Sequence, residues 1–303
     1  MNIEKIGFIY SCDKISDWMH SYASLPIAKH IKESIFRIYF SPRDSQNRSN
    51  GSYLELDIKS PKKILKIAEN PILESGIPGM FDDCGAQPCS ILEIEGRQYM
   101  YYTGWSLGAS IPFRTYLGLA IREADGDCFV KYSLAPILDR NDSEPLSVGW
   151  CFVMIHDGIF KMWYESNIGW KKINNQWEHF FNIKYAESKD GIYWERRNRV
   201  CIDIKGDENV VSRPSVLFED NKFKMWYCFK VNRLYRLGYA ESLDGINWVR
   251  LDNEITISGT SENWDNEEMA YPFVFNHEGN KYLLYNGNKY GKTGFGLAQI
   301  KNN

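Results

Sequence analysis

The chain has 303 residues, a formal net charge of −3 at pH 7 and 15% aromatic residues. Its basic residues are scattered rather than gathered in a stripe, which argues against nucleic acid as a partner. No segment reaches about 18 consecutive apolar residues and the first ten residues contain no signal-peptide core, so we expect a cytoplasmic protein without a membrane span.

The predicted elements are β-strands throughout. Apolar residues alternate, or run for five to seven positions between Gly, Asp and Asn, and no segment has a convincing helical period. In chain order we predict an N-terminal strand at 3–10 and then five units, at residues 11–60, 80–140, 145–200, 208–255 and 265–303.

Two sequence marks define these units. The triplet Ile38-Tyr39-Phe40 has counterparts that begin at Met100, Met162, Met225 and Leu283, at intervals of 62, 62, 63 and 58 residues. The triplet Gly118-Leu119-Ala120 has counterparts that begin at Lys184, Gly238 and Gly296, at intervals of 66, 54 and 58 residues. Because the two triplets recur together at similar intervals, they indicate one repeat array over the whole chain.

The fourth unit shows the predicted strands most clearly. They cover residues 213–218, 223–229, 236–240 and 248–250, with a turn at Asp244-Gly245 before the last. Each unit therefore reads as a four-stranded antiparallel blade. The fifth unit has only three strands, and the strand at 3–10 is expected to complete it. We predict a single all-β domain, a five-bladed β-propeller whose ring is closed by the N-terminal strand.

Departures from the repeat indicate candidate functional residues. The position after the first triplet is Ser41, Thr103, Glu165, Cys228 and Asn286 in the five units, so a carboxylate occurs there once. Glu165 is therefore the first catalytic candidate. Its alternative interpretation is a solvated turn residue.

Three further carboxylates complete the predicted catalytic set. Asp83 and Glu267 each lie five residues before a strand-opening proline, and Asp44 follows the second strand of the first unit. Cleavage of an acetal needs one protonated and one ionised carboxyl group, which such a set would supply. Each of these acids could instead cap its own turn.

Aromatic and polar residues near the same positions are the predicted substrate-binding residues, because aromatic rings stack on sugars. They are Arg43, Trp105, Trp150, Trp170, Arg213, Trp264, Asp265 and Tyr271.

No metal or cofactor site is predicted. The five histidines have no Glu or Cys at ligand spacing, and the seven irregularly spaced cysteines read as mostly reduced structural thiols. A structural calcium held by main-chain oxygens in the channel needs no sequence signature and stays open. The sequence does not indicate an oligomeric state.

The chain resembles the five-bladed glycosidase superfamily, which includes glycoside hydrolase families 32, 43, 62, 68 and 130. The likeness rests on Ser-x-Asp-Gly-x-x-Trp at 188–194 and 242–248, and on Arg213-Pro214 and Tyr271-Pro272. It implies an acid and base pair of carboxylates on the funnel floor and a third that tunes them. Asp83 and Glu165 match two of these by blade. The Asp expected on the first inner strand is absent near 24–27, so Asp44 substitutes for it.

Three functions follow as hypotheses. The first is a glycoside hydrolase acting on a carbohydrate. The second is a glycoside phosphorylase or glycosyltransferase, with Arg43, His179, Arg213 or Arg236 as anion-binding candidates. The third is a non-catalytic carbohydrate-binding propeller.

Overall fold

A computed structural model describes residues 1–124, 126 and 128–301, so the last two positions of the predicted fifth unit lie outside the described residues. The all-β prediction is confirmed. Besides strands, the described residues form a short 3-10 helix at Asp252–Glu254 and one helical turn at Asn288–Gly291. Within this part of the chain, no helix is long and apolar enough to cross a membrane.

The first two units are four-stranded antiparallel sheets whose strands pair in chain order. They follow strand β1 (Asn2–Tyr10). The first sheet contains β2 (Ser21–Lys32), β3 (Ile35–Arg43), β4 (Ser52–Asp57) and β5 (Ile64–Ile67). The second contains β6 (Gly85–Ile94), β7 (Arg97–Leu107), β8 (Phe113–Arg122) and β9 (Val130–Lys131).

The third and fourth units repeat this antiparallel arrangement. The third contains β10 (Val148–His156), β11 (Ile159–Ile173), β12 (Gln176–Ser188) and β13 (Glu195–Ile202). The fourth contains β14 (Glu208–Glu219), β15 (Lys222–Val231), β16 (Leu234–Ser242) and β17 (Val249–Arg250). A single parallel pairing of Phe181 with Val210 joins the two units.

The fifth sheet combines both ends of the chain. Its order is β18-β1-β21-β20-β19, with β18 (Thr256–Ser258), β19 (Ala270–His277), β20 (Asn280–Asn286) and β21 (Phe295–Lys301). The N-terminal strand β1 pairs antiparallel with β21. Four strands were expected, but β18 adds in parallel to the outer edge of β1. This extra strand satisfies backbone groups that would otherwise be left unpaired at a sheet edge.

The first repeated triplet links neighbouring units. It lies on the second strand of each unit, and in the second and third units its middle aromatic residue contacts the Asp-Gly turn of the next unit. The Tyr101 hydroxyl donates to the Gly191 carbonyl at 2.9 Å, and Trp163 Nε1 donates to the Gly245 carbonyl at 2.7 Å. Gly191 has φ 74°, and a Cβ there would lie 2.6 Å from the Tyr101 hydroxyl. Both the backbone conformation and the close contact therefore require glycine.

The second repeated triplet makes room for a tyrosine. In the second unit, a Cβ at Gly118 would lie 2.2 Å from the Tyr102 ring, so the ring can cross the neighbouring strand only over glycine. Its hydroxyl then reaches a carboxylate that also pairs with a cation. Four such Tyr–carboxylate–cation clusters occur in the described residues: Tyr102 with Asp82 and Lys131, Tyr164 with Glu144 and Arg196, Tyr227 with Asp252 and Arg250, and Tyr285 with Asp265 and Lys5.

The hydrophobic core fills the spaces between consecutive units. Separate clusters of buried side chains join the first unit to the second, the second to the third, the third to the fourth and the fourth to the fifth. Another joins the fifth unit to the first, where Phe36 and Phe275 have ring centroids 4.9 Å apart. The innermost strands β2, β6, β10, β14 and β19 also contact one another in this cyclic order. Each of these five strands therefore contacts two of the others.

Candidate active site

A cavity of about 310 Å³ lies where the innermost strands meet. Its lining is mainly aromatic and apolar, with a few polar groups, as is usual for small-molecule sites. The aromatic lining residues are Trp105, Phe113, Trp150, Phe181, Tyr235, Tyr271 and Tyr290. The polar lining residues are Ser24, Arg43, Gln87, Thr115, Glu165, His179 and Ser212.

Bulges in the innermost strands shape this cavity. Leu25, Trp150, Arg213 and Tyr271 have φ of 60°, 23°, 56° and 53°, at the points where strand pairing skips residues. Left-handed φ is uncommon outside glycine, and a bulge redirects the side chain that it carries. Leu25, Trp150 and Tyr271 line the cavity. Three of these four bulges have a small residue, a large residue and proline in sequence, as in Ser24-Leu25-Pro26, whereas Trp150 is followed by Cys151.

In the second, third and fifth units, the side chain after the first triplet supports the bulge of the neighbouring unit. The Leu25 amide donates to Asn286 Oδ1 at 2.7 Å, and the Trp150 amide donates to Thr103 Oγ1 at the same distance. In the third unit, Glu165 Oε1 accepts the Arg213 amide at 3.1 Å. Glu165 therefore fills a structural position that holds neutral side chains in the other units.

Glu165 is buried, and its carboxyl group forms no salt bridge within the part of the chain that the structure describes, although the Arg213 charge acts on it from nearby. Its Oε1 also accepts a hydrogen bond from the Ser212 hydroxyl. Burial raises the pKa of Glu165 to about 8, although the hydrogen bonds from Ser212 and the Arg213 amide oppose the shift. The carboxyl group is therefore mostly protonated at neutral pH and can act as a proton donor.

Arg213 lies beneath the cavity and joins three units. Its Nη1 donates to the Cys89 carbonyl at 3.2 Å and its Nη2 to the Leu25 carbonyl at 3.5 Å. Burial would raise the pKa of the Cys89 thiol, but hydrogen bonding with Cys151 and the Arg213 charge lower it to about 6. The same burial raises the pKa of Cys151. The seven cysteines are all free thiols.

The four predicted catalytic carboxylates do not converge, which corrects the sequence analysis. Only Glu165 lines the cavity. Asp83 Oδ2 accepts the Gly79 amide at 2.9 Å within a turn. Asp44 caps its own turn and pairs with Arg48 at 2.8 Å. Glu267 is exposed, and only its backbone carbonyl binds Arg236. The turn-capping alternative thus describes Asp44 and Asp83.

The predicted substrate-binding residues divide into two groups. Arg43, Trp105, Trp150 and Tyr271 line the cavity, whereas Arg213 lies under it. The other three lie outside the lining. Trp170 packs edge-on against Phe113 and His179, Trp264 stacks on Tyr285, and Asp265 belongs to the buried cluster with Tyr285 and Lys5. These three residues are placed to support the fold.

His179 lines the cavity as a neutral group. Burial, together with the charge of Lys230, lowers its pKa to about 3. It therefore offers a polar ring but no positive charge at neutral pH. Sequence reasoning named it only as an anion-binding candidate and did not identify Gln87 and Thr115, which line the same cavity. None of the described residues forms a group of three His, Cys, Asp or Glu side chains fit to hold a metal ion.

Comparisons with known proteins give two kinds of likeness. The chain is 40% identical over 299 residues to two proteins of Mycobacterium tuberculosis, "Uncharacterized protein MT1551" and "Uncharacterized protein Rv1502", covering 98% of this chain and 99% of each of them. No protein-family model matches the chain.

Solved structures share the fold. A thermostable family-43 glycoside hydrolase has a TM-score of 0.67 at 16% identity, over 95% of this chain and 90% of that one. A glycosyl hydrolase from Bacteroides ovatus has a TM-score of 0.71 at 13% identity, over 99% of this chain and 93% of that one. The resemblance to the β-propeller glycosidase superfamily is thus confirmed at the level of the fold.

Proposed function

The chain belongs to one protein family with the two Mycobacterium tuberculosis proteins, and we propose that its cavity binds a carbohydrate and that Glu165 protonates the glycosidic oxygen of that ligand. The buried, protonated Glu165 in an aromatic cavity is the observation that carries this proposal. Trp105 and Trp150 supply faces on which a sugar ring can stack, and Gln87 and Ser212 supply polar groups for its hydroxyls.

Glycosidic bonds break when the leaving oxygen receives a proton as the bond to the anomeric carbon lengthens. A general acid must therefore hold its proton at the working pH, and a pKa of about 8 meets that condition for Glu165. The reaction class is consistent with the fold shared with glycoside hydrolases. We place hydrolysis first among the reactions that such an acid can assist.

Transfer to a nucleophile other than water is the second candidate. Hydrolysis by the two-carboxylate mechanism needs a second carboxylate, as base or nucleophile, within about 10 Å of the first. Glu165 is the only carboxylate among the lining residues. A nucleophile that needs no base, such as inorganic phosphate, fits a site with one acid. Release of sugar phosphate that depends on added phosphate would distinguish this reaction from hydrolysis.

We further infer that the five units form a closed five-bladed propeller. The cyclic contacts of the innermost strands support this inference. So do the core cluster between the fifth and first units and the hydrogen bond from Leu25 to Asn286. A closed ring would explain why the cavity receives residues from every unit.

The test of the catalytic proposal is Glu165→Gln. The amide keeps an oxygen that accepts the Arg213 hydrogen bond but carries no acidic proton, so the fold should be retained. We expect the rate on glycosides with poor leaving groups to fall by about a hundredfold to ten-thousandfold. Glycosides with a dinitrophenyl leaving group need little protonation of the leaving oxygen, so the rate of their cleavage should fall much less.

Glu267→Gln is the matched control, because it makes the same chemical change at an exposed site outside the cavity. Its rates should equal those of the wild type. Equal losses for poor and good leaving groups in Glu165→Gln would show that Glu165 supports the fold rather than donating a proton. Unchanged rates for both would reject the proposal outright.

A further inference from the structure

Arg43 is the one arginine or lysine among the residues that line the cavity. Arg43 contributes a full charge to the lining, whereas the raised pKa of Glu165 and the lowered pKa of His179 leave both of these groups neutral. A site for a neutral ligand has no need for such an imbalance. A buried or half-buried cation is normally matched by an anion, from the protein or from a ligand.

Arg43 is held in place without an ion pair among the described residues. Its guanidinium lies 4.3 Å from the centre of the Tyr22 ring and 5.8 Å from that of Trp105, and Nη1 donates to Asn47 Oδ1 at 2.8 Å. The neighbouring carboxylate, Asp44, is committed to Arg48 and to two amides of its turn. Since a guanidinium has five N–H donors, most of those of Arg43 are left for a ligand.

Two other polar atoms of the lining also lack hydrogen-bond partners within the described part of the chain. They are Thr115 Oγ1 and Trp150 Nε1, both buried. Buried polar groups are normally satisfied, and an unmade hydrogen bond costs about 1–3 kcal/mol. These groups are suited to sugar hydroxyls. The unpaired cation and the unpaired neutral groups thus border the same cavity.

We propose that the ligand is an anionic sugar, whose carboxylate or phosphate group pairs with Arg43 while its hydroxyls meet Thr115 and Trp150. The proposal rests on the proposed function, in that the cavity binds a carbohydrate. A cavity of about 310 Å³ is small enough for one ligand to reach both Arg43 and Glu165. Arg43 then selects the substrate, and Glu165 acts on its glycosidic bond.

The test compares matched sugars by isothermal titration calorimetry. Glucose, galactose and mannose are each titrated alongside the corresponding uronate and 6-phosphate, and inorganic phosphate is titrated alone. We expect the uronate or the 6-phosphate of at least one sugar to bind about ten- to a hundredfold more tightly than the neutral form, as a charged hydrogen bond would provide. Whichever anionic form binds identifies the source of the charge.

Variants assign this preference to Arg43. Arg43→Gln should abolish it, Arg43→Lys should retain part of it, and Arg197→Gln, at an exposed arginine paired with Glu195, should leave it unchanged. Circular dichroism verifies that each variant is folded. Equal binding of neutral and anionic sugars would overturn the proposal, as would persistence of the preference in Arg43→Gln. Binding of inorganic phosphate alone, or of no anionic sugar at millimolar concentration, would also overturn it.

The outcome is separable from that of the catalytic proposal. Glu165→Gln removes the acidic proton but not the Arg43 charge, so it should keep the preference for anionic sugars. If the leaving-group test fails while the preference holds, the chain binds anionic sugars without acid catalysis by Glu165. If the preference fails while the leaving-group test succeeds, the substrate is neutral.

Discussion

The carboxylates of the four clusters form salt bridges, whereas the carboxylate that lines the cavity, Glu165, forms none among the described residues. Asp82, Glu144, Asp252 and Asp265 each accept a tyrosine hydroxyl at 2.5 to 3.1 Å and pair with a lysine or arginine. Glu165 is as buried as Asp82, Glu144 and Asp265, whereas Asp252 is half-buried. The Glu165 side chain accepts hydrogen bonds from a hydroxyl and an amide and forms no salt bridge among the described residues. The ion pairs and tyrosine hydrogen bonds of the four cluster acids support the fold, whereas burial raises the pKa of Glu165 so that it keeps its proton.

Structural acids recur from unit to unit, whereas the candidate catalytic acid occurs in one unit. Cluster acids have counterparts in other units, because each unit must satisfy the same tyrosine. The first unit has Phe40 at the equivalent position, which has no hydroxyl and requires no acid. Glu165 occurs once, at a position that other units fill with Ser, Thr, Cys or Asn. Three predictions test the difference, from the largest expected effect to the smallest.

Removing a cluster acid should cost the most stability. Glu144→Ala leaves the Tyr164 hydroxyl, the half-buried Arg196 charge and the buried Lys184 charge without their carboxylate partner. Such an unpaired buried charge costs about 3–5 kcal/mol. Denaturant unfolding at neutral pH should show this loss, while Glu267→Ala, at an exposed position, changes stability little. A loss below about 1 kcal/mol for Glu144→Ala would mean that the cluster carries little of the stability.

Glu165 should instead make stability fall with rising pH. Its pKa is raised from 4.5 to about 8, so the folded state holds the proton more tightly than the unfolded state. The contribution is fully present below pH 4.5 and is lost as the pH rises through 8. Each unit of pKa shift corresponds to about 1.4 kcal/mol, so the free energy of unfolding should fall by a few kcal/mol over this pH range.

Glu165→Gln should remove this dependence. Denaturant unfolding of the variant and the wild type between about pH 5 and pH 9 should give curves that separate as the pH rises, with the variant the more stable at the alkaline end. His179 has the opposite sign, because its pKa is lowered to about 3 and its contribution is lost as the pH falls below 6.5. Parallel curves would show that Glu165 is ionised in the folded protein.

Removing a cluster hydroxyl should have the smallest effect. Tyr285→Phe deletes the 2.8 Å hydrogen bond to Asp265 but leaves the carboxylate paired with Lys5. We expect a loss of about 1 kcal/mol in denaturant unfolding, because one partner remains. Tyr193→Phe, at a side chain that is 75% exposed, is the control and should be neutral. A loss of stability as large as that of Glu144→Ala would show that the tyrosine hydroxyl, rather than the ion pair, contributes most of the stability of the cluster.

The strands were predictable from sequence because their signals are local. In the fourth unit, the predicted strands at 213–218 and 223–229 lie within β14 and β15, and the strand at 3–10 lies within β1. Period-two burial and Asp-Gly turns act over a few residues, so a single unit contains the information. The extra strand β18 was missed, because its three residues have no pattern of their own and pair with β1 about 250 positions earlier.

The site was only partly predictable, because it depends on contacts between units. The repeat singled out Glu165, but counting positions before a proline could not reveal that Asp83 and Glu267 lie outside the cavity lining. Thr115 was missed because its unpaired hydroxyl is visible only when β8 is placed beside Trp150. The raised pKa of Glu165 likewise follows from burial, which outweighs the opposing hydrogen bonds and the Arg213 charge, and the sequence does not encode this burial locally.

The pairing of β1 with β18 and β21 has a consequence for biosynthesis. Asn2 pairs with Thr256 on one side and with Lys301 on the other, so the partners of β1 are made at the far end of the chain. While the ribosome makes the units between them, β1 presents two unpaired edges, which can pair with other strands. A chaperone that shields this segment until the last strand emerges would raise the yield of folded protein more than one that acts on any single unit.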